Sequence, residues 1–381
     1  MGITRTMLRV ALASLEINLA CTHALRVGDG WGTNIHWVKE NADGEAAMIA
    51  AAYKVARMDF KWASIEKSEH AYDFKAYDGL LSTMEAHGIR PYWILDYGNP
   101  LYPPQHTGRD NGACDTEVCI EAFGKFAAAT VAHFKGHNII FECINEPNGM
   151  GGDNSTDIAA LCLSAGKAFT AAGELFVGPT TAGMDWAYLN QSMAAGVLGA
   201  FGAVSVHPYR PDSPDTVLAD WVHLRELIVQ YGRSDRERNM PMISGEWGYT
   251  TAVPPCTYSN RVEPTTQAAY LARMWLSNTM AGVPVSINYD WRDNGDNLTV
   301  CESNFGSVHN VPTGDATQPF KPKPKYQAAL TLQTTLGNFE KVTGRVSPTT
   351  VLAPRSTPMS ESLYYRSRLT KATSLHSAAT F

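Results

Sequence analysis

Asn138-Ile139-Ile140-Phe141-Glu142-Cys143-Ile144-Asn145-Glu146-Pro147-Asn148 is an apolar run that stops abruptly at Asn-Glu-Pro. Its bulky and β-branched residues read as a buried strand, and its end sets a carboxylate beside an amide. Much later, Pro241-Met242-Ile243-Ser244-Gly245-Glu246-Trp247-Gly248 reads as a second buried strand that also ends in a glutamate. Two strand-end glutamates in one chain point to chemistry at strand ends.

Outward from the first run, strands and helices alternate. A first strand is expected over 31–37, a short Ala-rich helix over 44–52 and a second strand over 53–60. Phe74, Tyr77, Leu81 and Met84 then recur at helical spacing until Gly88, which is placed for a C-cap. The third strand is expected over 90–96, with a Gly/Pro-rich loop from Tyr97 to Pro104 after it. A helix with Phe123, Phe126, Thr130 and Phe134 on one face leads into the Asn-Glu-Pro strand, the fourth. Strands follow over 175–179, 204–207, 241–248 and 283–289, with helices over 158–172, 185–194, 216–231, 266–280 and 325–336. The helix over 216–231 has the clearest apolar stripe: Val217, Trp221, Leu224, Ile228 and Tyr231. Eight strand-helix units without a composition break predict a (β/α)8 TIM barrel, a single catalytic domain over 25–344, with its site where the strands end. A doubly wound open sheet is the alternative architecture, but no Gly-x-Gly-x-x-Gly follows the first strand to hold a dinucleotide.

Composition narrows the function. With 381 residues, 44% of them hydrophobic, the chain can bury a large core. A net charge of -6 leaves no broad basic field, so no nucleic-acid partner is expected. The 9 Trp and 16 Tyr supply flat faces with a polar edge, suited to stacking on sugars, although most are expected to fill the core. No apolar run is long enough to span a membrane, so no membrane insertion is expected. Nothing in the sequence fixes an oligomeric state.

At the N-terminus, Arg5 and Arg9 precede an apolar stretch broken by Glu16 and Asn18, and Thr22-His23-Ala24 offers small residues for cleavage. This pattern predicts a signal peptide over 1–24 and a secreted or extracytoplasmic protein. Its removal takes Cys21 away from the seven cysteines and leaves an even number. Cys114 with Cys119, and Cys256 with Cys301, are the candidate disulfides, whereas Cys143 and Cys162 read as plain core residues. Asn154, Asn190 and Asn297 each open a glycosylation pattern. Over 345–381 the chain turns Ser/Thr-rich and reads as a poorly ordered tail.

Retaining hydrolysis of a glycosidic bond needs two carboxyls about 5 Å apart, one protonated and one ionised. In a barrel, strands four and seven end on opposite sides of the mouth, so Glu146 and Glu246 are the candidate catalytic pair. Asn145 is the candidate for hydrogen-bonding the hydroxyl beside the reacting carbon. Arg57 is expected to hold a carboxylate ionised, His207 and Tyr209 to orient the glutamates, and Trp291 to floor the sugar site. His36, Asp96 and Tyr97 are further candidates for contacting substrate. Taken singly each has an ordinary structural use; six polar residues at the same end of different strands are expected only at a site. His36, His207 and Asp96 are too sparse for a metal centre, and no cofactor is expected.

Asn-Glu-Pro on strand four, His-x-Tyr on strand six, Gly-Glu-Trp-Gly on strand seven and an aromatic after strand eight together resemble the clan A glycoside hydrolases. Within that clan, Arg57 to Glu66, Tyr72-Asp73-Phe74 and Ile94 to Pro100 are most similar to family 39 and its polysaccharide-cleaving relatives, with family 5 next. The resemblance implies that Glu146 is the acid/base and Glu246 the nucleophile, with retention of β configuration. The expected function is cleavage of a β-linked polysaccharide or oligosaccharide, endo-acting because aromatic residues stand on several loops. An exo-acting β-glycosidase, a transglycosylase and a non-catalytic carbohydrate-binding barrel stay open as alternatives.

Overall fold

A computed structural model of the chain describes residues 26–103, 114–149 and 155–340. The expected signal peptide, the expected tail and Asn154 lie outside the described residues. Eight parallel strands close into a barrel, each bonded to the next and the eighth to the first. Strands one to four are Trp31–Asn34, Val55–Lys61, Arg90–Asp96 and Ile140–Cys143; strands five to eight are Leu175–Gly178, Ala203–Val206, Met242–Trp247 and Ser286–Asn288. Helices pack outside, among them Glu45–Ala52, Lys75–Ala86, Glu117–Phe134, Ser155–Ala172, Val217–Tyr231, Pro264–Met280 and Pro324–Thr335. This is the (β/α)8 barrel that the alternation predicts. None of the described helices is long and apolar enough to cross a membrane.

Strand period two sorts the side chains into two cores. Val55, Tyr92, Ile140, Val177, Ile243 and Ile287 point inward and fill the barrel's interior, while Trp93, Leu95 and Phe141 point outward against the helices. The outer layer takes up most of the aromatic content: Trp31 stacks on Trp275 at 4.8 Å, and Phe60 on Trp93 at 5.2 Å. Seven of the tryptophans are fully buried. Above the apolar interior, toward the strand ends, the inward positions become polar, beginning with Arg57, Glu142 and Ser205.

Two short hairpins have no counterpart in the sequence reading, Glu66–Ser68 with Ala71–Tyr72 and Val308–Pro312 with Phe320–Pro322. The disulfides Cys114–Cys119 and Cys256–Cys301 form as expected. Cys143 and Cys162 correct the reading, because they too are joined, with Cα atoms 5.8 Å apart. Cys143 follows inward-facing Glu142 and so faces outward, onto the helix Ser155–Ala172 that carries Cys162. Three disulfides fit an oxidising, extracellular setting.

Candidate active site

Strand four stops at Cys143, one turn of sequence before its glutamate. Ile144 and Glu146 both take left-handed backbone, at φ 40° and 42°, which costs a β-branched residue and a glutamate strain that a surrounding structure must hold. Asn145 and Glu146 are thereby swung over the barrel mouth. Strand seven reaches the same mouth by a bulge: its residues Ser244 and Trp247 pair with Ser286 and Asn288, one residue more than strand eight supplies. The extra residue sets Gly245 and Glu246 in succession on the inner side. Only glycine fits at 245, where a Cβ would lie 2.3 Å from Ser205 Oγ.

The two glutamates meet across the mouth. A carboxylate oxygen of each, together with a ring nitrogen of His207, lies within 4.8 Å of the others. Their surroundings differ. Glu246 accepts hydrogen bonds from Asn34 at 2.7 Å, from the Tyr209 hydroxyl at 2.7 Å and from the Arg57 guanidinium. Among the described residues Glu146 accepts one, from His207 Nδ1 at 2.7 Å. Burial raises the pKa of Glu146, and Arg57 lowers it less.

Arg57 is buried and fully engaged. It donates to Glu246, to Asn145 Oδ1 at 2.8 Å and, through Nε at 3.1 Å, to Glu142. Glu142 is itself buried and also accepts from Tyr92 and from Ser205 at 3.2 Å. His207 Nε2 lies 3.2 Å from Arg57 Nη2, which can only donate; Nε2 is therefore the acceptor and Nδ1–H the donor to Glu146. Burial, aided by Arg57, pushes the imidazole down to about 4 and keeps it neutral. Burial and Glu246 hold the Tyr209 phenol well above its usual value, so it stays a donor. Glu146, His207 and Glu246 have donor types that a metal ion takes, but Nδ1 and Oε1 are already spent on one another.

A cleft of about 570 Å³ opens over the pair, lined by Glu146, Tyr209, Glu246, Tyr258, Glu302 and Phe305 among others. Its walls come from the loops after strands five to eight. The Gly/Pro-rich loop after strand three lies partly outside the described residues; Tyr102 in it is buried, its hydroxyl donating to Glu66 at 2.7 Å.

The other candidates divide. Asn145 and Tyr97 are joined at the mouth, Asn145 Nδ2 donating to the Tyr97 hydroxyl at 3.4 Å. His36 is exposed at the rim, 3.4 Å from Asp290; burial lowers its pKa, but Asp290, Asp59 and Glu246 together raise it. Asp96 is fully buried, and burial and Asp59 push its carboxyl well above the usual range, so it meets no sugar here. Trp291 does not floor the site. It is buried under the loop, its indole donating to Glu45 at 2.8 Å, with Tyr53 and Tyr326 edge-on. Tyr289, two residues earlier, stands at the mouth instead, edge-on to His36 and Phe305. Asn34, Glu142, Tyr92, Glu302 and Tyr289 were missed by sequence reasoning. Asn34 and Tyr289 had the strand-end position that found the others.

The family model for cellulase (glycosyl hydrolase family 5) matches residues 22–293. No curated protein sequence matches the chain. Among solved structures, a family 39 glycoside hydrolase from the gut symbiont Bacteroides cellulosilyticus WH2 is similar with TM-score 0.67 and 23% identity, over 81% of this chain and 64% of that one. The chain thus spans less than two thirds of that protein. A family 39 β-xylosidase from Caulobacter crescentus follows at 0.58 and 17%, over 84% and 74%. An exo-β-1,4-mannosidase from Opitutaceae bacterium strain TAV5 gives 0.54 and 15%, over 81% and 60%. These likenesses show a shared fold, and the expected resemblance to families 39 and 5 holds. On the sequence match, over more than half its length, the chain belongs to the cellulase family, glycosyl hydrolase family 5, of clan A glycosidases.

Proposed function

We propose that the protein is a retaining β-glycoside hydrolase that cleaves a β-linked glycan by double displacement, with Glu146 as acid/base and Glu246 as nucleophile. The observation that carries this reading is the separation of the pair. One carboxylate oxygen of each glutamate lies within 4.8 Å of the other's, which supports the ~5–5.5 Å spacing of retaining sites over the ~6.5–9.5 Å spacing of inverting ones. The surroundings assign the roles. Three donors, one cationic, hold the Glu246 carboxyl in position for attack, while burial raises the pKa of Glu146 and suits it to carry a proton.

In the first step Glu146 protonates the leaving oxygen as Glu246 attacks the anomeric carbon from the opposite face. In the second, Glu146 takes a proton from water, and the resulting hydroxide equivalent displaces Glu246 from the glycosyl-enzyme. Arg57 and His207 act from beneath, fixing both carboxylates and Asn145 for contact with the neighbouring sugar hydroxyl. The cleft's opening through several loops favours internal cleavage, and the disulfides favour export from the cell; a closed pocket for chain ends is the competing mode.

The test is chemical trapping. A 2-fluoro-β-glycoside with an activated leaving group is expected to add one glycosyl mass to the protein, on Glu246 by peptide mapping. No adduct, with turnover of the matching aryl glycoside, would point to inversion; neither adduct nor turnover across β-glucosides, β-mannosides, β-xylosides and β-galactosides would leave a binding barrel.

A further inference from the structure

Charge around the cleft is one-sided. Among the described residues its lining carries the carboxyls of Glu146, Glu246 and Glu302 and a single cation, Arg210. Arg210 is committed elsewhere, donating to Asp220 at 2.8 Å, to Thr216 at 2.8 Å and to the Pro208 carbonyl at 3.2 Å. Glu302 takes no part in the mechanism above. Burial raises its pKa, the like charges of Glu246, Asp290 and Glu146 add to this, and the Tyr289 hydroxyl works the other way. The Tyr258 hydroxyl interacts with it from the facing loop.

The loop that carries the carboxyl is also tied down. Cys301 directly precedes Glu302, and Cys256 stands two residues before Tyr258, so the Cys256–Cys301 disulfide staples the loops after strands seven and eight where they form the cleft wall. A carboxylate on a stapled wall, with the like charges of Glu246 and Glu146 near it, repels an incoming anion and attracts a cation. Sugar hydroxyls can donate to it without cost in charge.

Resting on the hydrolase reading, we propose that Glu302 is a specificity residue that excludes sugar units bearing carboxylates and favours units bearing a protonated amine over anionic ones at the stapled wall. The natural substrate class is then a neutral or amine-bearing β-glycan, not a polyuronide.

The experiment compares three forms of whichever β-glycan the enzyme cleaves: the parent, a lightly carboxymethylated form and a lightly aminoethylated form, which are similar in bulk and opposite in charge. The wild type is expected to cleave the aminoethyl form with kcat/KM about five-fold above the carboxymethyl form, the size of a partly exposed ion pair. Glu302→Gln keeps the shape and removes the charge, and the preference is expected to fall to near unity at low salt. High salt is expected to shrink it in the wild type alone. An unchanged ratio in Glu302→Gln, or a wild-type preference for the carboxymethyl form, overturns the proposal. Should the parent not be cleaved, the hydrolase reading fails on its own account. Retardation of both proteins by the same three polymers in native affinity gels still reads the charge preference.

Discussion

Strands four and seven deliver the same side chain to one cleft in opposite surroundings. Glu246 arrives by a bulge on a regular strand and is held by Asn34, Tyr209 and Arg57. Glu146 arrives on left-handed backbone past the end of its strand and, among the described residues, is held by a neutral histidine. One carboxyl is fixed among three donors; the other is less restrained, and burial raises its pKa. The difference teaches that environment distinguishes identical groups: donors gather round one carboxyl, while burial beside a single donor raises the pKa of the other.

The comparison breaks first at Glu246. Glu246→Gln retains the volume but not the nucleophile, and kcat on an aryl β-glycoside is expected to fall about 10⁵-fold, ~7 kcal/mol of barrel-mouth chemistry lost. A thermal melt near that of the wild type would show that the fold persists; activity above about a hundredth of wild type would undo the assignment.

At Glu146 the expected effect is smaller and depends on the leaving group. Glu146→Ala should lose about 10³-fold in kcat/KM on a natural glycan, ~4 kcal/mol, but far less on an activated aryl glycoside, whose leaving group needs no proton. Steady-state rates on both substrates measure the split. Equal losses would mean that the two glutamates have been given each other's roles.

The smallest effect sharpens the Glu146 side through pH. His207, neutral in the fold, has its pKa pushed from 6.5 to about 4 by burial. Between these values the unfolded chain binds a proton that the folded one does not. Stability from this group is therefore complete above the upper value and lost as pH falls through the window, by ~3 kcal/mol at most. Urea titrations at several pH values are expected to give a shallower acid slope for His207→Gln than for the wild type. The same slope in both would mean that the ring is protonated in the fold, and Nε2 would no longer accept from Arg57.

Below the mouth, Arg57 joins the two halves. Its guanidinium spans Glu142 in strand four and Glu246 in strand seven, and it touches Asn145 as well. A buried cation between two buried carboxylates is tolerated only because each is matched, so the layer is costly to alter singly. Arg57 and His207 thus act through the glutamates and Asn145, not by lining the cleft.

Read alone, the chain carried its architecture, because period-two and helical patterns repeat eight times and local backbone physics sets them. It also carried Arg57, Asn145, Glu146, His207, Tyr209 and Glu246 as candidates that meet at one mouth, since polar residues within apolar strands and at their ends stand out against their neighbours. Tertiary structure alone decided the rest. Glu142 looked like part of an apolar strand until Arg57, Tyr92 and Ser205 were found around it. Cys143 and Cys162 looked like core residues until a strand's outer face met a helix. Trp291 and Tyr289 have like character, and only the turn of the chain after strand eight sends one under the loop and the other to the mouth. Periodicity records which face a residue takes within its own element; what that face meets depends on contacts between residues far apart in the chain, and no local pattern holds them.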